Sequence, residues 1–491
     1  MQNNQLIYQV HDKLPFWKNL LFALQQYLSI IAATLLVPML ADPSGTLLSQ
    51  SAALVGASVG TIIYLILTQF KSPVMLGSSF TFLLPLTATI TFGYFGILLG
   101  ALFASLVYII LALIIKKVGS HWINKIMPPI IIGPTVALIG FDLSTSAISN
   151  LMNTASDTAN YNLVSILVGI ITFIVVIWIS VKVKKGIRMF PFIIGIIAGY
   201  ILASIFTIIG ILTKTTYLQL VDFSVFGKIL DFNNWIPNFT FVGFIVEGTA
   251  KIASFKNIIT IFILYAPIAM VSFAEHIADH KNISSIIGSD LLENPGLHRT
   301  LLGDGLGSFV GAIFGGCPNT TYGESIGCVA LSKNGSTWTI FTACILCIIT
   351  AFIYPIILFV ESIPSCVIGG ICIALYGFIS VSGLRMIKDV DLNDSKNLFV
   401  ISSIFICGIG GLVLKFSSIE IPNIACALLV GIIANIILKD RKQKNPISKE
   451  PDLLESSETI PKKPDNQNDS NSSKISTQPQ QKANSHNGKI T

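Results

Sequence analysis

The sequence predicts an all-α polytopic membrane protein, and three observations support this prediction. Of the 491 residues, 52% are hydrophobic and only 11% are charged, against about 25% charged in an ordinary soluble domain. Apolar runs of about 20 residues, enough to cross a bilayer core of about 30 Å, recur as far as residue 438. Lysine and arginine collect in alternate connections between the runs, which is typical of a chain that crosses a membrane repeatedly.

About fourteen membrane spans are predicted from the apolar runs. They lie at 17–40, 50–70, 74–92, 94–117, 125–147, 162–182, 189–212, 257–279, 301–316, 318–333, 337–360, 364–384, 397–414 and 420–438. The third, ninth and tenth are short or interrupted by glycine, so the count holds to within one or two spans. From residue 439 the composition changes to Lys, Asn, Ser, Gln and Pro, which predicts a disordered cytoplasmic tail over 439–491.

The charge pattern predicts the orientation of the chain. The short connections 41–49, 148–161 and 361–363 contain no Lys or Arg, whereas the connections on the other side contain most of them. By the positive-inside rule, both termini, including residues 1–16, lie in the cytoplasm of a cell-membrane protein. The long outer segment 213–256 also contains lysines, but long segments translocate largely regardless of charge.

Two features recur seven spans apart. The motif Ala-Leu-Ile-Gly-Phe at 137–141 returns as Ala-Leu-Tyr-Gly-Phe at 374–378. Polar, glycine-containing runs interrupt the third span at 77–85 and the tenth at 315–327. An odd number of spans in each half inverts the second half, which is the inverted-repeat plan of secondary transporters, and paired interruptions indicate the substrate site. Chance similarity of glycine-rich and alanine-rich helices is the alternative.

Ionisable residues inside spans are candidates for function. Glu324 is the one carboxylate of the polar run 315–327, and Glu275 lies deep in the eighth span. Asp279 follows Glu275 by four residues and shares its helical face. Like charges that face one cavity disfavour joint ionisation, so these side chains could take up and release a proton during transport. For Asp279 a solvated position at the membrane surface is an equal alternative, and for His280 the solvated position is favoured.

The two interruptions also offer backbone to a ligand. Where a helix breaks, N–H and C=O groups are freed from its ladder, so a planar amide-like molecule could bond to them and to a carboxylate. Phe80, with Tyr27 or Tyr322 nearby, could cover a flat ring. The residues offer neither a recognised metal-ligand spacing nor a catalytic triad, so neither an enzyme nor a metal cofactor is expected.

Several motifs resemble the nucleobase–ascorbate transporters, in particular their uracil permease branch, over nearly all of 17–440. The resemblance lies in Pro-Asn-Thr-Thr-Tyr-Gly-Glu-Ser-Ile-Gly at 318–327, Ala-Glu-His-Ile-Ala-Asp at 274–279, Asn-Pro-Gly-Leu-His-Arg at 294–299 and Gly-Ser-Ser-Phe at 77–80. It implies seven-plus-seven inverted repeats with extended stretches in spans 3 and 10. It also implies a core domain made of 17–117 and 257–360, and a gate domain made of 118–256 and 361–438.

The resemblance further implies proton-coupled uptake of a nucleobase, with the proton as the coupling ion. Glu275 would accept from the base N–H groups, and Glu324 would hold the opposite edge. The remaining substrate-contacting positions that it implies are the backbone of Phe80 and Gly323, and Ala33, Tyr322 and Ser79. Proton coupling is assigned to Glu275, Asp279 and Glu324. A homodimer through the gate domains is a further expectation, and no nucleic-acid partner is expected.

This chain departs from the family pattern at several places, among them Ser332, which stands before Lys333 where Thr is usual. Gln26 replaces the usual His of the first span, Asp279 stands where a well-known member has His, and Ser325 replaces the usual Asn. The role of that first-span His in ordering the core is therefore lost or changed, and coupling at position 279 must use a carboxylate. Purine-selective members have Gln where this chain has Glu324, which favours uracil. Xanthine or another purine, or less favourably an anion transporter or channel with the same repeat plan, are the alternatives.

Overall fold

The fold is mainly α-helical, as the sequence predicts. The computed structural model describes residues 6–119, 128–154, 157–183, 187, 191–230, 235–248, 255–388, 390–416 and 419–438. In those ranges the α-helices are, in chain order, α1 Phe16–Ala41, α2 Gln50–Leu67, α3 Leu83–Thr89, α4 Gly93–Val118, α5 Pro129–Met152, α6 Leu163–Lys182, α7 Pro191–Leu212, α8 Thr240–Glu247, α9 Phe255–Ile287, α10 Leu297–Gly315, α11 Gly323–Ser332, α12 Thr337–Ala351, α13 Tyr354–Glu361, α14 Ser365–Met386, α15 Ser395–Ile409 and α16 Asn423–Ile437. The predicted tail 439–491 lies outside the described residues.

Short strands connect some of these helices. They are β1 Leu76–Ser78, β2 Asn153–Thr154, β3 Asp157–Tyr161, β4 Asn319–Thr321, β5 Leu414–Phe416 and β6 Ile419–Ile421. β2 pairs with β3, and β5 with β6, each as a local hairpin that the sequence analysis did not predict. β1 instead pairs antiparallel with the distant β4, with Gly77 opposite Thr320. These two strands are the extended stretches expected in spans 3 and 10.

Many of the helices can cross a bilayer, so the prediction of a polytopic membrane protein is confirmed. Among the described residues, eight helical segments are long and apolar enough, with Phe80–Val118 counted as one segment. A ninth is the pair α12 and α13, whose axes differ by 80°. α15 and α16 are apolar but shorter, at 15 residues each.

Two predicted spans differ from the structure in detail. The eleventh, 337–360, is not one helix: α12 ends at Ala351 and α13 begins at Tyr354. Pro355 lies in the first turn of α13, where its missing N–H leaves no hydrogen bond unmade. The eighth, predicted to end at 279, continues to Ile287. About two further helical turns therefore follow Asp279.

Helices that correspond in the two halves pack against each other through glycine. A Cβ atom on Gly56 of α2 would lie 2.4 Å from the carbonyl oxygen of Gly311 in α10. A Cβ atom on Gly140 of α5 would lie 2.3 Å from the carbonyl oxygen of Tyr376 in α14. Any side chain at either position would push the backbones apart. Gly140 and Tyr376 belong to the two copies of the repeated motif, so the repeated sequences meet in the structure.

The helices pack mainly within two bundles. In the first bundle, α1 and α2 contact α12, and α4 contacts α9 and α10. In the second bundle, α14 contacts α5 and α6, α6 contacts α7, and α15 contacts α5 and α16. Seven spans apart, α1 corresponds to α9, and α4 corresponds to α12. The contact of α1 with α12 in one half therefore has its counterpart in the contact of α9 with α4. The packing therefore repeats between the halves of the chain.

Candidate functional site

One cavity brings together most of the predicted site residues. It has a volume of about 460 Å³ and lies where the turn after β1, β4, α9 and α11 face α5, α7 and α14 of the second bundle. Its walls include the predicted residues Ala33, Phe80, Glu275, Asp279, Tyr322, Gly323 and Glu324. Tyr27 and Ser79 do not line it: Ser79 is buried, and its N–H donates to the carbonyl oxygen of Pro318 at 2.9 Å. The contact of Ser79 with substrate stays a prediction from the resemblance.

Two strand-to-helix transitions form one side of the cavity. β1 leads into the turn Phe80–Phe82 and α3, and β4 leads into α11, which begins at Gly323. The first N–H groups of a helix have no partner within it, and they give its start a partial positive charge. A Cβ atom on Gly323 would meet nothing within 4 Å, so the start of α11 is open to the cavity.

The extended segments are also tied to each other. The hydroxyl of Tyr322 donates to the carbonyl oxygen of Ser78 at 2.7 Å. The backbone N–H of Tyr322 donates to the carbonyl oxygen of Met75 at 3.2 Å. Tyr322 lines the cavity, but only 4% of it is exposed. These bonds fix the two helix starts relative to one another.

Each carboxylate of α9 accepts a hydrogen bond from a different interruption. The hydroxyl of Thr81, next to Phe80, donates to Glu275 Oε2 at 3.0 Å. The hydroxyl of Thr321, at the end of β4, donates to Asp279 Oδ2 at 2.7 Å. Both carboxylates are half-buried in the cavity wall. The surface alternative for Asp279 is therefore wrong: the side chain belongs to the same cavity as Glu275.

The solvated position favoured for His280 is also wrong. His280 is fully buried, with Nε2 2.6 Å from the Tyr64 hydroxyl, and its Nδ1 donates to the carbonyl oxygen of His276 at 2.8 Å. The helix continues to Ile287, which keeps this position inside the protein. His276 is buried as well, with Nδ1 2.7 Å from Asp304 Oδ2.

Sequence reasoning missed Asp304 and Arg385. Asp304 is a fully buried carboxylate in α10, and it stands alone among glycine and apolar residues, the same signal that singled out Glu275. Arg385 belongs by sequence to a positively charged connection of the predicted cytoplasmic side, yet it lines the cavity together with Phe378 and Ser382 of α14. Their spacing of four and three residues places them on one helical face. Among the described residues of the cavity wall, Arg385 is the single basic side chain.

Two of the departures from the family pattern contact each other. Gln26 Nε2 donates to the carbonyl oxygen of Ser325 at 3.3 Å, and the Ser325 hydroxyl donates to Gln26 Oε1 at 3.1 Å. The same hydroxyl accepts from the N–H of Met75 at 3.1 Å. Gln26 therefore joins α1 to α11 and, through Ser325, to the segment before β1. An ordering contact is present at this position despite the absence of the usual His.

Comparison with known proteins agrees with the resemblance seen in the sequence. Residues 17–415 match the family model described as the Permease family. The uracil permease of Bacillus caldolyticus is 35% identical over 446 residues, which cover 90% of this chain and 96% of that protein. The uracil permease of Escherichia coli strain K12 is 30% identical over 434 residues, which cover 88% of this chain and 93% of that protein.

Solved structures show a similar fold at low sequence identity. The transmembrane domain of a cyanobacterium bicarbonate transporter, BicA, has a TM-score of 0.53 and 16% identity, with 87% of this chain and 100% of that chain covered. The inward-facing murine anion transporter Slc26a9 has a TM-score of 0.56 and 12% identity, with 87% and 69% covered. At these identities the likeness concerns the fold alone.

Proposed function

The chain belongs to the Permease family, the nucleobase–ascorbate transporters, and we propose that it carries uracil across the cell membrane together with a proton. It is a transporter rather than an enzyme. The observation that carries the proposal is the meeting, in one cavity, of Glu275, Glu324, the turn at Phe80 and the open start of α11. The names of the relatives, each a uracil permease at 30–35% identity, supply the base.

Uracil fits the chemistry of this cavity. The base is planar, with two N–H donors and two carbonyl acceptors, so a carboxylate and backbone N–H groups complement its edges. In the proposed complex Glu275 accepts from the N–H groups, and Glu324 holds the opposite edge. The backbone of Phe80 and Gly323 completes the hydrogen bonds, and the Phe80 ring covers one face.

The proposed transport cycle moves a proton through the carboxylates of α9. Glu275 and Asp279 lie one helical turn apart on the cavity wall, where two like charges disfavour joint ionisation. Thr81 and Thr321 connect them to the two interruptions, so a change of charge on either carboxylate reaches the segments that hold the base. Glu324 faces the same cavity and is the third carboxylate assigned to coupling.

Alternating access is proposed to follow from motion between the two bundles. In this assignment fourteen spans form seven-plus-seven inverted repeats, with a core domain of 17–117 and 257–360 and a gate domain of 118–256 and 361–438. The repeated packing of corresponding helices supports it, as does the position of the cavity between the bundles. Motion of one bundle against the other around a fixed site is how such repeats alternate access.

Both termini are proposed to lie in the cytoplasm of a cell-membrane protein, because the charges of the connections follow the positive-inside pattern. A homodimer through the gate domain stays an expectation from the resemblance. Fusion of a reporter that is active only in the cytoplasm to each terminus tests the orientation, and cross-linking in membranes tests the dimer. A reporter that is inactive at either terminus contradicts the orientation, and absence of a cross-linked dimer contradicts the dimer.

Other substrates are less well supported. A cavity of about 460 Å³ would also admit a purine, so xanthine remains the second candidate. The solved structures of similar fold include anion transporters, but that likeness concerns the fold alone. Three carboxylates against one basic side chain would repel an anion, which argues against anion transport.

Uptake of labelled uracil in cells that lack their own uracil transport tests the proposal. Glu275→Gln and Glu324→Gln are each expected to abolish uptake without loss of protein from the membrane. Glu293→Gln, at an exposed carboxylate outside the cavity, is the matched control and should behave as wild type. Normal uptake by either cavity variant removes that residue from the site. Competition by unlabelled xanthine stronger than that by uracil would assign the protein to purines.

A further inference from the structure

A buried polar chain lies beside the cavity, on a face of α9 that does not line it. His280 Nε2 is 2.6 Å from the hydroxyl oxygen of Tyr64, which is 2.7 Å from Ser72 Oγ. All three residues are 0% exposed. The other ring nitrogen of His280 donates to a carbonyl oxygen of its own helix. Nε2 therefore has Tyr64 as its partner, and the chain connects α9 through α2 to the segment before β1.

That segment leads directly into the proposed substrate site. The N–H of Met75 donates to Ser325 Oγ at 3.1 Å, and its carbonyl oxygen accepts from the N–H of Tyr322 at 3.2 Å. β1 follows at once, and the turn that begins at Phe80 comes next. The position of the segment after Ser72 therefore decides where the backbone of Phe80 lies relative to α9.

An apolar cluster surrounds the Tyr64 ring, separate from the main core of the protein. Its members come from α2, the segment before and including β1, the end of α9, the turn after it and α11. They are Tyr64, Val74, Leu76, Ile283, Ile287, Leu291, Ile326 and Val329. Here His280 Nε2, the Tyr64 hydroxyl and Ser72 Oγ are paired with one another, and leaving a buried polar group without its partner is energetically costly.

We propose that His280 is a positioning residue for the substrate site. It does not touch the cavity; it acts through Tyr64 and Ser72 on the segment that carries β1 and Phe80. Tyr64 is the central member, because loss of its hydroxyl leaves both His280 Nε2 and Ser72 Oγ unpaired. Asp279, the neighbour of His280 in the chain, accepts a hydrogen bond from Thr321 of β4, in the other interruption. Adjacent residues of α9 thus fix both extended segments. The inference rests on the proposed function, because its measurement is uracil uptake.

The test compares the concentration dependence of uracil uptake in the full-length protein and its variants. Tyr64→Phe, His280→Ala and Ser72→Ala are each expected to raise the KM at least fivefold, with Vmax per transporter within twofold of wild type. The double variant Tyr64→Phe/His280→Ala should be no worse than the poorer single variant, because both changes break one chain. Thr68→Val is the matched control: its buried hydroxyl, one turn after Tyr64 at the end of α2, donates to the carbonyl oxygens of Tyr64 and Leu65.

The outcomes separate this inference from the proposed function. A wild-type protein that takes up no uracil refutes the proposed function and, with it, the basis of the inference. Wild-type uptake combined with an unchanged KM in the variants refutes only the role of His280, as does an equal rise in the Thr68→Val control. If Tyr64→Phe and His280→Ala do not reach the membrane, Ser72→Ala decides: a raised KM supports the role, and an unchanged KM overturns it.

Discussion

Thr81→Val should weaken uracil uptake although Thr81 is not one of the proposed base-binding groups. The substitution keeps the shape of the side chain and removes the hydroxyl that donates to Glu275 Oε2 at 3.0 Å. A hydrogen bond to a charged group contributes about 1.5–3 kcal/mol, and about 1.4 kcal/mol corresponds to a tenfold change in affinity. Water in the cavity would replace part of the lost bond, so we expect the lower end, a rise in KM of about tenfold.

The assay measures initial rates of labelled uracil uptake over a range of concentrations, with the amount of protein in the membrane measured in parallel. Thr87→Val is the matched control, because this hydroxyl, in the following helix α3, donates to the carbonyl oxygen of Leu83. We expect the control to have the wild-type KM. An unchanged KM in Thr81→Val would refute the reasoning that Thr81 holds Glu275 in the orientation that binds the base.

Two further predictions concern the departures from the family pattern. Asp279→Asn should flatten the pH dependence of uracil uptake, because an amide cannot take up and release a proton; an unchanged pH profile would assign coupling to another residue. Gln26→Ala and Ser325→Ala should each raise the KM several-fold, and the double variant should be no worse than the poorer single one, because the two side chains form a mutual contact. Additive effects measured in the same assay would show that they act independently.

The interruptions could be predicted because their composition is exceptional. A polar, glycine-containing run inside an apolar segment cannot remain an ordinary lipid-facing helix. β1 extends into the first run, and β4 lies within the second. The carboxylates Glu275 and Glu324 could be predicted for a similar reason, because an ionisable side chain inside a span needs a function or a partner. Both line the cavity.

The hydrogen-bond partners of the α9 carboxylates, Glu275 and Asp279, could not be predicted. That Thr81 bonds to Glu275 and Thr321 to Asp279 depends on the register of β1 against β4 and on where α9 passes them. Neither is a local property of the sequence. The burial of His280 could not be predicted because the continuous apolar run ends close to it, whereas in the folded helix Ile283 and Ile287 continue its buried side.

Asp304 and Arg385 show a different limit. Asp304 is isolated in sequence, and its partner His276 lies on another helix, so spacing along the chain gave no sign of the pair. Arg385 follows the positive-inside pattern, which accounts for its charge without a site, and the fold places it in the cavity wall. A residue can satisfy a general rule of topology and still belong to a specific site.

Accumulation of labelled uracil in vesicles reconstituted with the purified protein tests the central claim most directly. With an imposed pH gradient, acidic outside, the account predicts accumulation above the external concentration that collapses when a protonophore is added. It also predicts that Glu275→Gln vesicles do not accumulate uracil. Equilibration to the external concentration, indifferent to the gradient and to the protonophore, would contradict proton-coupled transport. Absence of any uracil entry into vesicles that contain folded protein would contradict the assignment of uracil itself.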